Sequence, residues 1–351
     1  MTETDAVIVG AGPAGLFQVF QLGLQEVQAH VIDVLPAAGG QCVELYADKP
    51  IYDIPGIPYC TGQQLTDNLL AQAAPFKPQF HFGQLVSGVS RQADQRLLVA
   101  TSAGQQFLTR TLFIAAGVGA FQPKTIKVPG LEALQSGSLS YHLDQNADWH
   151  QRRVVIVGDT EAALQSALWL ADRPAHQRPA SVTLMHRRDA FQAEDGTLQI
   201  FRQQVAGGKL HFLAAQPTQI DNQSGKLTQL HLLRSDGQVQ PLPADHLLIQ
   251  LGISPKLGPL ADWGLAMERK QLWVDTETFQ TSESGIFAVG DINTYPGKKK
   301  LIVCAFHECV MAAFGALPIL FPDKRIALQY TTTSPRLHAL LGVDTPGLSG
   351  A

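Results

Sequence analysis

The feature that most constrains this chain is a pattern that occurs twice. Ala6-Val-Ile-Val9 is a short apolar run, followed by Gly10-Ala-Gly12-Pro-Ala-Gly15 and an apolar, turn-free stretch from Leu16 to Leu24. Much later, Arg153-Val-Val-Ile-Val157 leads into Gly158-Asp-Thr-Glu-Ala-Ala163 and a helical run from Leu164 to Ala171. Strand, tight turn and helix in that order open a βαβ unit. Each opening needs its own parallel sheet. Two of them, roughly one domain length apart, therefore predict an α/β chain with two Rossmann-like dinucleotide-binding domains.

Composition supports this and narrows the class. The 351 residues are 45 % hydrophobic and 16 % charged, enough for two cores. A net charge of -4 and a pI near 6.2 argue against a nucleic-acid-coating protein or a polybasic membrane binder. The N-terminus enters a hydrophobic strand at once, so no secretory leader is expected. Leu301 to Phe321 is apolar but carries His307, Glu308 and Pro318, and reads as a buried helix rather than a membrane span. Cys42, Cys60, Cys304 and Cys309 form neither a disulfide framework nor a zinc-ligand spacing. The expectation is a cytoplasmic protein with no structural metal.

Between the two openings, Val86 to Ala116 alternates apolar and polar residues in short runs. That predicts an antiparallel insertion ending in a buried strand, Thr111 to Ala116. After the second opening come a strand at Ser181 to Met185 and hairpin-like runs at Leu227 to Leu233 and His246 to Leu251. A strand at Gly285 to Val289 and a long helix from Leu301 to Leu317 follow.

The first glycine motif is complete. Gly10 allows the tight turn, Gly12 lets backbone approach a pyrophosphate, and Gly15 lets helix and strand pack closely, with helix amides facing the phosphates. An acidic residue is expected roughly 20 positions on, and Asp33 ends the apolar run that starts at Ala29. Asp291, in Gly290-Asp291 after the late strand, is by itself either a turn or cap residue or an acceptor for polyol hydroxyls.

Together with Gly39-Gly-Gln41, Tyr46, Ile51-Tyr-Asp-Ile-Pro-Gly56 and Ile286-Phe-Ala-Val-Gly-Asp291, the first motif resembles the thioredoxin-reductase-like ferredoxin–NADP reductases. Ala115 to Phe121, His186-Arg-Arg-Asp189, Gly297-Lys-Lys-Lys300 and Tyr330-Thr-Thr-Thr-Ser334 carry the resemblance along the whole chain in order. The resemblance implies bound FAD. Gly10, Gly12, Pro13, Ala14, Gly15 and Asp33 would hold it at one end, and Gly40, Gln41, Val86, Phe121 and Asp291 elsewhere. It also implies that Tyr46 stacks on one face of the flavin, although a lone tyrosine is ordinarily a half-buried core residue. Tyr330 would cover the opposite face from the second subunit of a homodimer, with a hydroxyl such as that of Thr332 bonded to the cofactor. The Cys-x-x-Cys that thioredoxin reductases carry in their second domain is missing, in keeping with the resemblance: the region before the second glycine motif reads Tyr141-His-Leu-Asp144. Electrons then have no dithiol route off the flavin and must go straight to an outside acceptor.

The second motif departs from the family's Gly-x-Gly-x-x-Ala. After Gly158, Thr160 stands where a missing side chain admits the pyrophosphate, so either the loop shifts or nucleotide binding weakens. Arg187 and Arg188 follow the next strand, where arginines grip a 2′-phosphate and select NADPH over NADH. Gln192 replaces the family's third arginine, a loss of about 1.5–3 kcal/mol. Lys298-Lys-Lys300 reads either as a basic rim that steers a ferredoxin or as a solvated loop, and His307 as a core histidine.

The resemblance implies an FAD-dependent enzyme passing electrons between NADPH and a ferredoxin or similar iron–sulfur carrier, with no acid–base or nucleophilic residue of its own. The alternatives are a flavoprotein with weakened NADPH use acting as a redox sensor, and an NADPH-dependent flavin reductase or oxidase with another acceptor. Residues 1–118 and 254–351 would form the FAD domain and 119–253 the NADP domain.

Overall fold

The first parallel sheet is built outward from the apolar run after Thr4. In the computed structural model, which describes residues 1–134, 137–234, 236–324 and 327–343, β1 (Thr2–Val9) has Ala6, Val7 and Ile8 fully buried. Helix α1 (Pro13–Gly23) starts with Pro13 in its first turn, where the missing N–H costs nothing. It leads to β2 (Ala29–Ile32), paired parallel to β1 in the register Ile8 to Val31. Two helices, α2 (Gln41–Tyr46) and α3 (Gly62–Ala73), precede β3 (Gln79–His81). A capping box between Thr61 and Gln64 fixes the start of α3.

The insertion is antiparallel, as the alternation predicts: β4 (Val86–Arg91) pairs with β5 (Leu97–Thr101), which pairs with β6 (Gln106–Ile114). The buried run from Thr111 is not a separate strand. It is the second half of β6, which also pairs parallel to β1 between Phe107 and Ile114. The strand order is β3-β2-β1-β6-β5-β4.

The second unit, Gln122–Ser254, repeats the scheme. Short β7 (Leu139–Ser140) precedes β8 (Arg153–Val157), which runs into α4 (Glu161–Ala171) and β9 (Ser181–His186). Helix α5 (Asp195–Ala206) leads to β10 (His211–Gln223), whose first residues pair parallel to β9 and whose remainder pairs antiparallel to β11 (Lys226–Arg234). Then come β12 (Val239–Pro243) and β13 (His246–Ile249), giving the order β7-β13-β8-β9-β10-β11-β12. One expectation fails here. The run from His246 is not a hairpin arm but a buried central strand parallel to β8, which explains why all four of its residues are covered.

The chain returns to the first unit at Pro255. There β14 (Ile286–Ala288) pairs parallel to β6, and α6 (Ile302–Leu320) packs against α1. By length and composition α6 could cross a membrane, with mean hydropathy 1.8. Its inner face, including Cys309, Ala312, Ala313 and Ala316, belongs to the core of this unit. Helix α7 (Pro335–Leu341) closes the described chain, capped by Ser334.

Candidate cofactor-binding site

The carboxyl ends of β1, β2 and β6 open into one cleft of about 1170 Å³, counting its mouth. Ligands bind at this edge in doubly wound sheets. The three motif glycines have three different reasons to be glycine. Gly10 has φ +108°, and a methyl group there would lie 2.4 Å from the Ala115 carbonyl oxygen. At Gly15 it would lie 1.8 Å from the Gly10 carbonyl oxygen, so the helix could not close on its own loop. At Gly12 it would meet only the Gly40 Cα, at 3.8 Å. The protein itself leaves that space open. Gly12 caps α1 without any side-chain bond, so the helix amides face the cleft unblocked. A loop that is crowded behind and vacant in front fits a pyrophosphate.

Asp33 is 8 % exposed and ties this loop to β2: the Ala11 N–H donates to Oδ2 at 2.5 Å and the Leu35 N–H to Oδ1 at 2.8 Å. Burial pushes its carboxyl up, while the backbone bonds pull the other way. Gly10, Gly12, Pro13 and Ala14 line the cleft with Asp33 and Val86. Gly40, Gln41, Tyr46 and Asp291 line it as well. Gly15 sits behind, at the helix–strand contact. The Gln41 Nε2 donates to Asp291 at 3.3 Å, joining two segments 250 positions apart. Tyr46 accepts a bond from the Cys42 thiol at 3.4 Å, and burial foremost pushes its phenol upward. Phe121 lies in the strand Ala120–Pro123, but its side chain is outside the described residues.

The support for Asp291 was not legible as such. Glu308, fully buried on α6, accepts from the Gly290 N–H at 2.7 Å, Asn293 Nδ2 at 2.9 Å and the Tyr295 hydroxyl at 3.0 Å, and pairs with Lys298. Lys298 also donates to the Gly290 carbonyl at 2.9 Å. Lys298 is therefore not part of a basic rim: it is 7 % exposed and spent on this turn, whereas Lys300 lines the cleft. His307 is exposed rather than a core residue, because neighbours on a helix point about 100° apart and Glu308 takes the inward place. Gly290-Asp291 followed by a buried acid on the next helix was the available signal.

In the second unit, Gly158 is required by the chain: a methyl group would lie 2.4 Å from the Gln250 carbonyl oxygen. Thr160 caps α4, accepting from the Ala163 N–H at 3.4 Å and donating to the Gln250 carbonyl at 3.1 Å. Its hydroxyl is thus turned onto its own chain. Arg187 and Arg188 are exposed just beyond β9.

Tyr330 is 66 % exposed and does not line the cleft of its own chain, nor does Thr332. Helix α7 behind them is anchored on its own unit, with Leu337 buried and the Arg336 Nε donating to Glu26 at 2.6 Å.

Comparison with known proteins agrees with this architecture. Residues 4–309 match the family described as pyridine nucleotide-disulphide oxidoreductase. The chain is 56 % identical to the ferredoxin–NADP reductase of Albidiferax ferrireducens, covering 98 % of this chain and 97 % of the relative. It is 53 % identical to ferredoxin–NADP reductase 2 of Cupriavidus metallidurans, covering 98 % and 92 %. Among solved structures it resembles the thioredoxin reductase of T. acidophilum, with TM-score 0.54, 21 % identity and 90 % and 98 % coverage. It also resembles the bacillithiol disulfide reductase of Staphylococcus aureus, with TM-score 0.58, 17 % identity and 90 % and 99 % coverage. With the fold shared by both and the whole length shared with the closer relatives, the chain belongs to the pyridine nucleotide-disulphide oxidoreductases, in the thioredoxin-reductase-like ferredoxin–NADP reductase group.

Proposed function

We propose that this chain is an FAD-dependent ferredoxin–NADP reductase that moves electrons between NADPH and a ferredoxin or similar iron–sulfur carrier. The observation that carries the reading is 56 % identity along 98 % of the chain to a relative of that name. Bound FAD supplies a ring that accepts hydride and releases electrons one at a time.

The chain's own work is placement. Gly12 and Gly40 would admit the pyrophosphate and α1 would present its amides to it, while Asp33 holds the loop from behind. Asp291, braced through Gly290 by Glu308, would offer a carboxylate to the ribityl hydroxyls, and Tyr46 would cover one face of the ring. Cys42 is buried, and burial pushes its thiol up, which disfavours a thiolate relay. All four cysteines are free, which suits a reducing, cytoplasmic setting.

The exposed Tyr330, five residues ahead of the anchored α7, suits a homodimer in which each tail covers the partner's flavin. Anaerobic mixing of the purified protein with saturating NADPH and a ferredoxin should reduce flavin and then iron–sulfur centre. Failure of either step at saturation would overturn the reading. Truncation after Gln329 should leave FAD bound but raise its fluorescence and oxygen reactivity. Unchanged values would remove the tail from the site.

A further inference from the structure

The phosphate loop of the second unit is filled by its own chain. Gly158 is followed by Asp159, whose carboxylate accepts from the Gln192 Nε2 at 3.2 Å and faces the His186 Nε2 at 3.6 Å. The His186 ring is fixed by its other nitrogen, which donates to the Arg188 carbonyl at 3.0 Å. The Gln192 backbone also engages the loop: its N–H donates to the Asp159 carbonyl at 2.7 Å, and its carbonyl accepts the Glu161 N–H at 3.0 Å. That N–H is the first amide of α4, one of the groups a dinucleotide phosphate would otherwise claim. The Ala163 amide is turned onto Thr160. A fixed negative charge and occupied amides thus stand at the carboxyl ends of β8 and β9, where the first unit keeps open space and unblocked amides.

Resting on the reductase reading, we propose that Asp159 and Gln192 are a specificity-determining pair that weakens the hold of this unit on nicotinamide dinucleotides. NADP(H) is then held mainly by its 2′-phosphate, on Arg187 and Arg188. Asp159 acts against the pyrophosphate, which NADP and NAD share. Gln192 withholds a cation from the 2′-phosphate, which only NADP has.

The two effects separate by calorimetric titration of the holoprotein with NADP⁺ and NAD⁺. Asp159→Gly should tighten both nucleotides alike, by about tenfold, through loss of the like charge. Asp159→Asn, which keeps the side-chain volume and an acceptor for Gln192, should give most of that gain. Adding Gln192→Arg to Asp159→Gly should tighten NADP⁺ by about a further tenfold and leave NAD⁺ unchanged. Retained amide-exchange protection along β8 and β9 shows that the second unit of each variant is folded. Unchanged affinities in both Asp159 variants, or equal gains for NADP⁺ and NAD⁺ on adding Gln192→Arg, would overturn the proposal. The reductase reading fails separately, if saturating NADPH leaves the bound flavin oxidised.

Discussion

The two glycine loops of this chain began from the same pattern and ended differently. In the first, the backbone is crowded wherever the fold needs it and empty where a ligand would lie: Gly10 and Gly15 are forced by neighbouring carbonyls, and Gly12 is not forced by anything in the chain. In the second, only Gly158 is forced, and the following positions carry Asp159 and Thr160, whose side chains bond to Gln192 and Gln250. A glycine kept without a reason inside the protein marks where a ligand approaches. Its loss at the matching place marks a relaxed demand for close approach.

That contrast predicts two unequal outcomes within one motif. Gly15→Ala should destabilise the first unit by about 1–3 kcal/mol, because the new methyl cannot share space with the Gly10 carbonyl. Gly12→Ala should leave unfolding of the flavin-free chain within about 0.5 kcal/mol, since Gly12 has ordinary extended angles (φ -73°, ψ -178°) and no close neighbour. It should nevertheless lower the flavin-to-protein ratio. Denaturant unfolding and flavin absorbance measure the two separately. Equal destabilisation by both substitutions would break the distinction between a glycine for the fold and a glycine for the ligand.

Much of this was legible in sequence, for identifiable reasons. Strand–glycine–helix openings are local, so β1–α1 and β8–α4 announce themselves. Asp33 is readable because it follows a short strand at a fixed interval. What escaped was long-range pairing. Nothing in His246 to Ile249 says whether the strand turns back as a hairpin or slips between β7 and β8, since both are apolar. Lys298 looks like its neighbours Lys299 and Lys300 until Glu308, on a different element, is brought beside it. Thr160 and Gln192 stood out as departures, but the bridge between them required β8 and β9 to lie side by side.

The smallest effect concerns how the two sheets respond to acid. In the first, His30 on β2 and His81 on β3 stack with ring centroids 5.2 Å apart, and their Nδ1 and Nε2 atoms lie 2.9 Å apart, so one ring donates to the other. Burial foremost lowers the pKa of both, with His81 adding to the effect on His30 and Gln105 partly opposing it on His81. In the second, His246 on β13 is 4 % exposed, its Nδ1 donating to the Gly137 carbonyl and its Nε2 meeting Ser140, and burial again lowers its pKa. A histidine held neutral in the fold is protonated first in the unfolded chain. Stability is therefore full above the ordinary value of 6.5 and falls as pH drops below it toward the folded value. Each such proton contributes at most about 1.4 kcal/mol per pH unit, less for the part-exposed rings of His30 and His81. With two protons against one, amides of β1 and β2 should lose exchange protection between pH 7 and 5 faster than those of β8 and β13. His81→Gln should reduce the difference, because His30 then keeps a hydrogen-bonding neighbour that takes no proton. An equal or steeper loss in β8 and β13 would mean that the imidazole pair does not set the acid response of the first sheet.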